Sequence, residues 1–485
     1  MHHPFCPLFR RARRTAAVAL LALPLGVQAQ TPASPVAGDT VRLSLDQAVT
    51  IGLRQSDEIG LANARVDVAD AQFANARASI LPQLRFNGAY THVYESARGN
   101  AVGAVFNQPN TYSASTNLSQ TLFQGGRLVS AARAANDTRQ AAREDEREQR
   151  ASVTLQVQRA YLQALFTARI VELQENNLTL ATNRLAQIEQ LQRAGQAARY
   201  DVLRARVERS NLEPLAIQAR NDRELALLEL KRLLNIPIDK PIALTSQIDQ
   251  SATAAMLAAA EDTVSVAERA AIRSAELNVS ARRLGIAVAR ADFYPALSVF
   301  FQTGYQAFPP IGQGLPRARG ALTAEACPPG SVTGRLCQNG GFFADRQLGL
   351  NVSLPLFDGF RVKSNVDLAQ AQARVAELEL QVERETVALD VARARAELRR
   401  SRASFAARQQ NSAEAQEAFQ LASLRFTRGL STQLEVSDAQ LALLTAQSTE
   451  ARATYDLFLA SADLARALGR PIPLPSATTT SPTPR

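Results

Sequence analysis

Side chains that commonly support catalysis are scarce in this sequence. The 485 residues include three histidines, and because His2 and His3 fall in an N-terminal leader, His92 is the one imidazole left for the working protein. Zinc sites, haem sites and Ser-His-Asp triads need more histidines than this. The carboxylates are dispersed along helical stretches and do not converge on one point. We therefore expect no catalytic residue, no metal ligand and no cofactor.

The N-terminal sequence predicts a secretory signal peptide over residues 1–29. Four arginines between positions 10 and 14 precede an apolar run at 15–27, and Val27-Gln28-Ala29 supplies a small-residue cleavage site. The mature chain is expected to begin near Gln30, and Cys6 lies too far upstream to become a lipid anchor. Loss of the leader lowers the net charge from +9 to about +5. Nucleic acid is therefore not a predicted partner.

Two cysteines, Cys327 and Cys337, remain in the mature chain and lie in a Gly- and Pro-rich stretch. In an exported protein, a closely spaced pair of this kind predicts a disulfide-closed loop. Two unpaired loop thiols are the alternative. A metal site would need further cysteine or histidine ligands, and the sequence has none nearby.

The chain contains an internal duplication. The segment NLSQTLFQGGR at 117–127 recurs as NVSLPLFDGFR at 351–361, and the same shift aligns Gly195 with Gly429 and Asp201 with Glu435. Upstream, ARA at 76–78 followed by Leu81-Pro82 matches ARA at 289–291 followed by Tyr294-Pro295 at a smaller shift. The extra residues of the second copy fall around the cysteine pair, which predicts a surface loop that tolerates insertions there.

Each copy holds a stretch of about 68 residues without glycine or proline, at 127–194 and 361–428. Strong helix formers over that distance predict one continuous helix roughly 100 Å long. Shorter helices are predicted near 47–78 and 262–292, and again after each glycine to about Asn235 and Gly469. Two short helices would then lie end to end beside each long one. Pro214 interrupts one of the short helices and is interpreted as a tolerated kink.

The second long helix has two opposed apolar faces. Charged residues occupy the faces between them, whereas an ordinary surface helix has a single apolar stripe. Two seams predict neighbours on both flanks and water on the other two sides, as in the wall of a hollow helical cylinder. A helix inside an ordinary bundle is the alternative, but a bundle would not keep both remaining faces charged. One seam comprises Val375, Leu378, Val382 and Leu389, and the other comprises Leu380, Val387, Val391 and Leu398.

Four segments of about ten residues alternate with period two, near 84–94, 112–122, 297–305 and 348–356. One side is apolar and the other is small or polar, which is typical of a transmembrane barrel with a wet interior. A soluble, half-buried sheet shows similar alternation. No apolar run in the mature chain approaches the ~20 residues of a spanning helix. Periplasmic, secreted and outer-membrane locations are all compatible with these patterns.

Four strands cannot form a closed barrel, and an open edge in lipid leaves backbone groups unsatisfied. Several subunits must therefore contribute their strands to one closed barrel. Because roughly eight strands give a filled barrel and larger numbers leave a lumen, we expect a cyclic homotrimer with twelve strands, while a dimer or tetramer stays possible. The predicted fold class is mainly α with a membrane β-barrel part, on a duplicated β-β-α plan. Asp358 is the predicted N-cap of the second long helix.

The duplicated plan, the Leu356-Phe357-Asp358-Gly359 junction and the segment EVSDA at 435–439 after Gly429 resemble the TolC-like outer-membrane efflux proteins. The resemblance covers nearly the whole mature chain. It implies a trimeric channel-tunnel with a twelve-stranded barrel in the outer membrane and a long α-helical barrel in the periplasm. The implied function is passive export in a tripartite efflux or type I secretion system. The implied partners are a periplasmic adaptor (membrane fusion) protein, an inner-membrane pump of RND, ABC or MFS type, and outer-membrane lipid.

The resemblance also implies a periplasmic gate at Glu435 and Asp438. Residues three apart share one helix face, and three copies converging on an axis would place six acids in a narrow space that attracts cations. A solvated helix face is the alternative reading of such a pair. In the first copy the matching positions are Asp201 and Arg204, so the full acid pair is absent there. Phe426 matches an aromatic or phenolic gate position and lacks the hydroxyl.

The glycine turns at Gly195 and Gly429 are implied to be contact tips for the adaptor. The resulting division of the chain is a first repeat at 30–237, an equatorial linker at 238–261, a second repeat at 262–470 and a disordered tail at 471–485. A periplasmic coiled-coil scaffold or adaptor is the rival function, and it explains the helices but not four amphipathic strands. An exported hydrolase would need a catalytic constellation that the carboxylates do not form.

Overall fold

The computed structural model describes residues 41–95, 97, 101, 110–246, 269–307 and 342–470. The predicted signal peptide, the Cys327 and Cys337 pair, the tail and most of the linker lie outside the described residues. The described chain is mainly helical, as predicted. Its elements, in chain order, are β1 Val41–Leu43, α1 Leu45–Gln55, α2 Asp57–Ala78, β2 Gln83–His92, β3 Asn110–Gln124, α3 Arg127–Arg193, α4 Arg199–Leu233, β4 Ile242–Leu244, α5 Ala270–Arg290, β5 Ala296–Ala307, β6 Phe342–Ser353, α6 Arg361–Thr427 and α7 Gln433–Ala467.

The two long helices, α3 and α6, have 67 residues each, which confirms the prediction from their freedom from glycine and proline. In the first repeat, α2 and α4 both pack along α3, so two short helices accompany the long one as expected. In the second repeat, α5 and α7 pack along α6 in the same way. Helix α3 also packs on α5 and α7, and these contacts join the two repeats.

Two local predictions need correction. The first short helix is split at Ser56, which ends α1 and caps α2 by accepting a hydrogen bond from the Glu58 N–H at 3.3 Å. Helix α4 continues through Pro214, which agrees with the interpretation of a proline tolerated inside the helix. Helix α6 begins at Arg361, and the N-cap position belongs to Phe360 in a left-handed conformation. Asp358 still contributes, because its carboxylate accepts a hydrogen bond from the Val362 N–H at 2.8 Å.

The four predicted strands form one antiparallel sheet in the order β2-β3-β5-β6. The middle pair, β3 and β5, belongs to different repeats, so the sheet joins the two copies. Tyr94 and Leu356 were expected within strands and lie just beyond the ends of β2 and β6. Strands β2 and β6 are the edges, and within the described chain each pairs on one side only. The sheet is open, as a four-stranded share of a larger barrel must be.

The second long helix buries one of its two predicted seams and exposes the other. Val387, Val391 and Leu398 are buried, and the latter two pack against Leu457 and Leu464 of α7. The opposite seam, from Val375 to Leu389, remains 46–61% exposed in the single chain. The chain therefore carries an apolar flank that it does not cover itself.

A core cluster closes the equatorial end of the first repeat. The short parallel strands β1 and β4 pair with each other beside α1 and α3. Tyr161 of α3 is fully buried there; its hydroxyl donates to the Leu43 carbonyl at 2.8 Å and accepts from the Ser246 N–H at 3.2 Å. One phenol therefore ties the small sheet to the long helix.

Candidate functional site

The two helical hairpins end in matching glycine turns. Gly195 and Gly429 have φ of +71° and +72°, a left-handed conformation that glycine adopts without a Cβ clash. The Gly429 N–H donates to the Phe426 carbonyl and the Leu430 N–H to the Arg425 carbonyl, both at 2.9 Å. The first repeat has the same pair of bonds around Gly195. This C-terminal capping motif reverses the chain and exposes both glycines at the tips.

The predicted acid pair lies at the start of α7, directly after the second tip. Glu435 is the third residue of the helix, and its N–H donates to the Thr432 hydroxyl at 3.4 Å. Glu435 and Asp438 are both exposed and share one face, while Val436 between them is 2% exposed and packs inward. The two carboxylates therefore project from the helix on the side opposite its buried face.

Arg425, on the other arm of the same turn, was not identified from the sequence. Its guanidinium lies 3.8 Å from the Glu435 carboxylate, and both side chains are about half exposed. The arginine offsets part of the negative charge that the acid pair presents. A positive residue ten positions before an acid across a glycine turn is the signal that would have indicated this contact.

The first-repeat positions differ from the acid pair. The Asp201 carboxylate accepts a hydrogen bond from the Ala198 N–H at 3.2 Å, so it caps α4. Asp201, Arg204 and Phe426 are each half-buried. Among the described residues, no hydrogen bond or ion pair joins Asp201 or Arg204 to Glu435 or Asp438.

Polar contacts hold the buried face of α7 on the first repeat. The Ser437 hydroxyl donates to Glu208 at 3.1 Å and accepts from the Arg184 guanidinium at 3.4 Å. Burial lowers the pKa of Arg184, and the charge of Glu208 opposes that change. One turn further, the Gln440 side chain donates to the Asn177 side chain, and both are buried. These contacts orient α7 so that its acidic face points away from the first repeat.

A second ionic cluster joins the repeats near their equator. Arg269, just before α5, is 5% exposed and pairs with Glu148 at 3.1 Å and Asp390 at 3.3 Å. Arg466 of α7 pairs with the same Glu148 at 3.2 Å. Burial lowers the pKa of Arg269, but hydrogen bonds and charge interactions with both acids raise it overall. A cleft of about 580 Å³ opens beside this cluster and is lined by Arg269 and by residues of α6 and α7.

The other side chains that could support chemistry lie apart from one another in the described chain. His92 ends β2, where its Nδ1 lies 2.7 Å from Asn110 Oδ1 and its ring meets Tyr94 edge-on. In the described part of the chain, no three His, Cys, Asp or Glu side chains gather as metal ligands. Nor does any helix there have the length and apolar character needed to cross a bilayer.

Known proteins share both the sequence pattern and this architecture. The family model described as "Outer membrane efflux protein" matches residues 52–236 and 263–470. The outer membrane efflux protein BepC of Brucella suis is 24% identical over 430 residues, which cover 88% of this chain and 85% of that protein. The pyoverdine export outer membrane protein OpmQ of Pseudomonas putida is 26% identical over 445 residues, with the same coverage of 88% and 85%.

Two solved structures show the same fold. The outer membrane protein VceC of Vibrio cholerae superposes with a TM-score of 0.69 at 20% identity, over 88% of this chain and 97% of that one. The CmeC outer membrane channel of Campylobacter jejuni gives a TM-score of 0.70 at 17% identity, over 88% and 85%. The family match spans both repeats, from the first short helices to the end of α7. The chain therefore belongs to the outer membrane efflux protein family, and it is an outer-membrane export channel and not an enzyme.

Proposed function

We propose that three copies of this chain form one passive duct, a twelve-stranded barrel continued by an α-helical barrel in the periplasm. The observation that carries the proposal is the incomplete sheet. Strands β2 and β6 each lack a partner on their outer side within the described chain, and unsatisfied backbone groups are not tolerated in lipid. The exposed seam of α6 also needs a cover. Identical subunits arranged in a ring supply both.

The exposed apolar side chains of the sheet fit contact with outer-membrane lipid. Leu84 and Phe86 on β2 and Leu348 and Leu350 on β6 are 62–76% exposed in the single chain. Alternation with small or polar residues leaves the other side of the sheet suited to a wet lumen. The test is native mass spectrometry of detergent-purified protein together with planar-bilayer recording. A trimer with conducting pores is expected, and a detergent-independent monomer without pores would contradict the proposal.

The acid pair is proposed to form the periplasmic gate. Glu435 and Asp438 share an exposed helix face beside the tip turn, and in a trimer these side chains would form a ring around the axis. Asp201, Arg204 and Phe426 are proposed to lie near the same constriction. The Arg425 contact with Glu435 would moderate the field of the ring.

The gate is tested by removing both charges, Glu435→Ala with Asp438→Ala. Single-channel conductance should rise and cation preference should fall, because the ring loses its side-chain bulk and its negative charge. A matched control removes Glu414 and Glu417, two exposed acids of α6 with the same spacing. Equal effects from the two double variants, or an unchanged conductance in the first, would refute the gate.

The exposed tips at Gly195 and Gly429 are proposed as docking points for a periplasmic adaptor that connects the duct to an inner-membrane pump of RND, ABC or MFS type. The observation in favour is that both turns have the same backbone geometry and stand at the ends of the helical hairpins. In-cell crosslinking from a photoreactive residue at Gln196 should capture an adaptor. The same probe at Asn87, on the sheet, should not capture it.

The chain is also proposed to divide as its duplication suggests, into a leader at 1–29, repeats at 30–237 and 262–470, a linker at 238–261 and a tail at 471–485. Cys327 and Cys337 are proposed to form a disulfide in the second repeat, because an exported chain matures in an oxidising compartment. Peptide mapping of the mature protein without reduction tests the cleavage site and the disulfide together. A start far from Gln30, or two free thiols, would contradict the respective assignment.

A further inference from the structure

The two repeats build their hairpins in the same register. In the first repeat Gln83 lies opposite Ser119, and in the second Ala296 lies opposite Ser353. The sequence duplication makes Gln83 equivalent to Ala296 and Ser119 equivalent to Ser353. The agreement holds although residues were inserted between the strands of the second hairpin. The repeats are therefore equivalent residue by residue in the sheet as well as in the helices.

The contact between the two repeats is seen directly in the sheet. Strand β3 of the first repeat pairs with β5 of the second, with Thr116 opposite Thr303 and Asn117 opposite Gln302. In a closed ring of repeats, the second repeat of one subunit must meet the first repeat of the next. Equivalent surfaces then meet, because β6 is the counterpart of β3 and β2 is the counterpart of β5.

We infer that β6 pairs with β2 of the neighbouring copy in the register that β3 and β5 use within one chain. Translating each observed pair by the two repeat shifts sets Leu350 opposite Tyr90 of the partner subunit and Asn351 opposite Ala89 of the partner subunit. The inference rests on the proposed cyclic assembly and adds to it the residues that close the barrel.

The side-chain pattern agrees with this register. In an antiparallel pair, residues directly opposite each other point to the same side of the sheet. Leu350 and Tyr90 both belong to the apolar side of their strands and are 62% and 57% exposed in the single chain. Asn351 and Ala89 both belong to the small or polar side. A slip of one residue would set Leu350 beside the polar side of β2, so the burial pattern selects against it.

The helices predict an equivalent contact between subunits, in which α6 of one copy packs against α4 of the next. Within one chain, Leu155 of α3 packs in a buried cluster with Ala462 of α7, and Leu459 lies against it. The counterparts of these residues in the other repeat are Leu389, Leu228 and Leu225. All three counterparts are 39–56% exposed in the single chain. Leu389 of α6 should therefore pack against Leu228 of the partner subunit, with Leu225 of the partner subunit beside it.

The subunit joint differs chemically from the repeat joint. Glu148 of α3 lies at the joint between repeats, where it pairs with Arg269, and Glu144 lies one turn earlier on the same helix. Their counterparts on α6 are Leu378 and Val382, both exposed. The helix that would face them is α2 of the partner subunit, the counterpart of α5. It carries Leu61 of the partner subunit and Val68 of the partner subunit, which are also exposed in the single chain. Apolar burial therefore takes the place of ion pairs at the inferred subunit joint.

The strand register is tested with paired cysteines in a chain carrying Cys327→Ser and Cys337→Ser. Asn351→Cys with Ala89→Cys should give covalent trimers on denaturing gels after mild oxidation, because directly opposite residues place their Cβ atoms about 4.5–5.5 Å apart, a separation that small strand movements bring into disulfide range. The matched control is Asn351→Cys with Arg85→Cys, on the same side of the sheet but four residues away. At about 3.4 Å per residue, that pair is too far apart to react.

Leu389→Cys with Leu228→Cys tests the helical joint independently of the barrel and should also crosslink between subunits. Native mass spectrometry before oxidation shows whether the protein is a trimer, so that a wrong register can be distinguished from a wrong assembly. A trimer that crosslinks through Arg85 but not through Ala89 would overturn the register while leaving the proposed duct intact. A trimer in which the Leu389 and Leu228 pair fails to crosslink would overturn the helical joint. A monomer before oxidation would refute the proposed assembly itself.

Discussion

Replacing Arg269 with leucine is expected to loosen the joint between the two repeats. The Arg269 side chain is 6% exposed and links α5 to Glu148 of α3 at 3.1 Å and to Asp390 of α6 at 3.3 Å. Leucine can fill part of the space but donates no hydrogen bond. Both acids would lose a charged partner in a place that water reaches poorly.

The expected loss in the free energy of unfolding depends on the polar partners that Glu148 and Asp390 retain in the variant. A hydrogen bond to a charged group contributes about 1.5–3 kcal/mol, so two such bonds set an upper range of roughly 3–6 kcal/mol. Glu148 retains Arg466 at 3.2 Å, and Asp390 is 39% exposed and can regain water. Both facts reduce the loss, and we expect a cost of about 3 kcal/mol, the lower end of what breaking a buried pair costs.

The assay is urea unfolding of the detergent-purified protein, followed by far-UV circular dichroism. The matched control is Arg206→Leu, which breaks an ion pair with Glu189 whose side chains are 57% and 40% exposed. Such a surface pair contributes about 0–1 kcal/mol. Equal losses in the free energy of unfolding for the two variants, or an Arg269→Leu variant as stable as the parent, would contradict the prediction. Either result would mean that the cost of desolvating Arg269 cancels the stabilisation from its ion pairs.

Two further predictions concern single groups in the helical part. Tyr161→Phe should lower the free energy of unfolding by about 1–3 kcal/mol, because the carbonyl of Leu43 and the N–H of Ser246 lose their buried partner; an unchanged urea midpoint would contradict this role. Burial raises the pKa of Asp463 above its ordinary value of 3.8. Its contribution to stability is therefore complete below that value and is lost as pH rises through the raised pKa. Asp463→Asn should be more stable relative to the parent at pH 7 than at pH 3.5, and a constant difference across that range would refute the assignment.

Much of the fold could be predicted because its signals are local. The absence of glycine and proline over each long stretch determines α3 and α6, and the glycine turns mark their ends at Gly195 and Gly429. Period-two alternation located three of the four strands to within two residues, whereas β6 begins six residues before its predicted start. The N-cap of α6 was assigned two residues too early, to Asp358, since the left-handed Phe360 follows from the junction geometry and has no composition signal.

The candidate site was predicted less completely, because its contacts join residues far apart in the chain. The acid pair at Glu435 and Asp438 is predicted from its spacing and from family resemblance, and both side chains are exposed, as either a gate or a solvated helix face would have them. The contact of Arg425 with Glu435 and the docking of Ser437 on Glu208 were not predicted. Each depends on how two helices are set side by side, and periodicity within one helix does not encode that.

By itself, the sequence determined the lengths of the elements, their duplication and the two apolar seams of the second long helix, since these depend on residue type and spacing along one chain. The tertiary structure decided which seam is buried. Val387, Val391 and Leu398 turn towards neighbouring helices of the same chain, and the seam from Val375 to Leu389 is left exposed. Two equally apolar faces are indistinguishable by pattern, and only the packing of α5 and α7 against α6 selects between them.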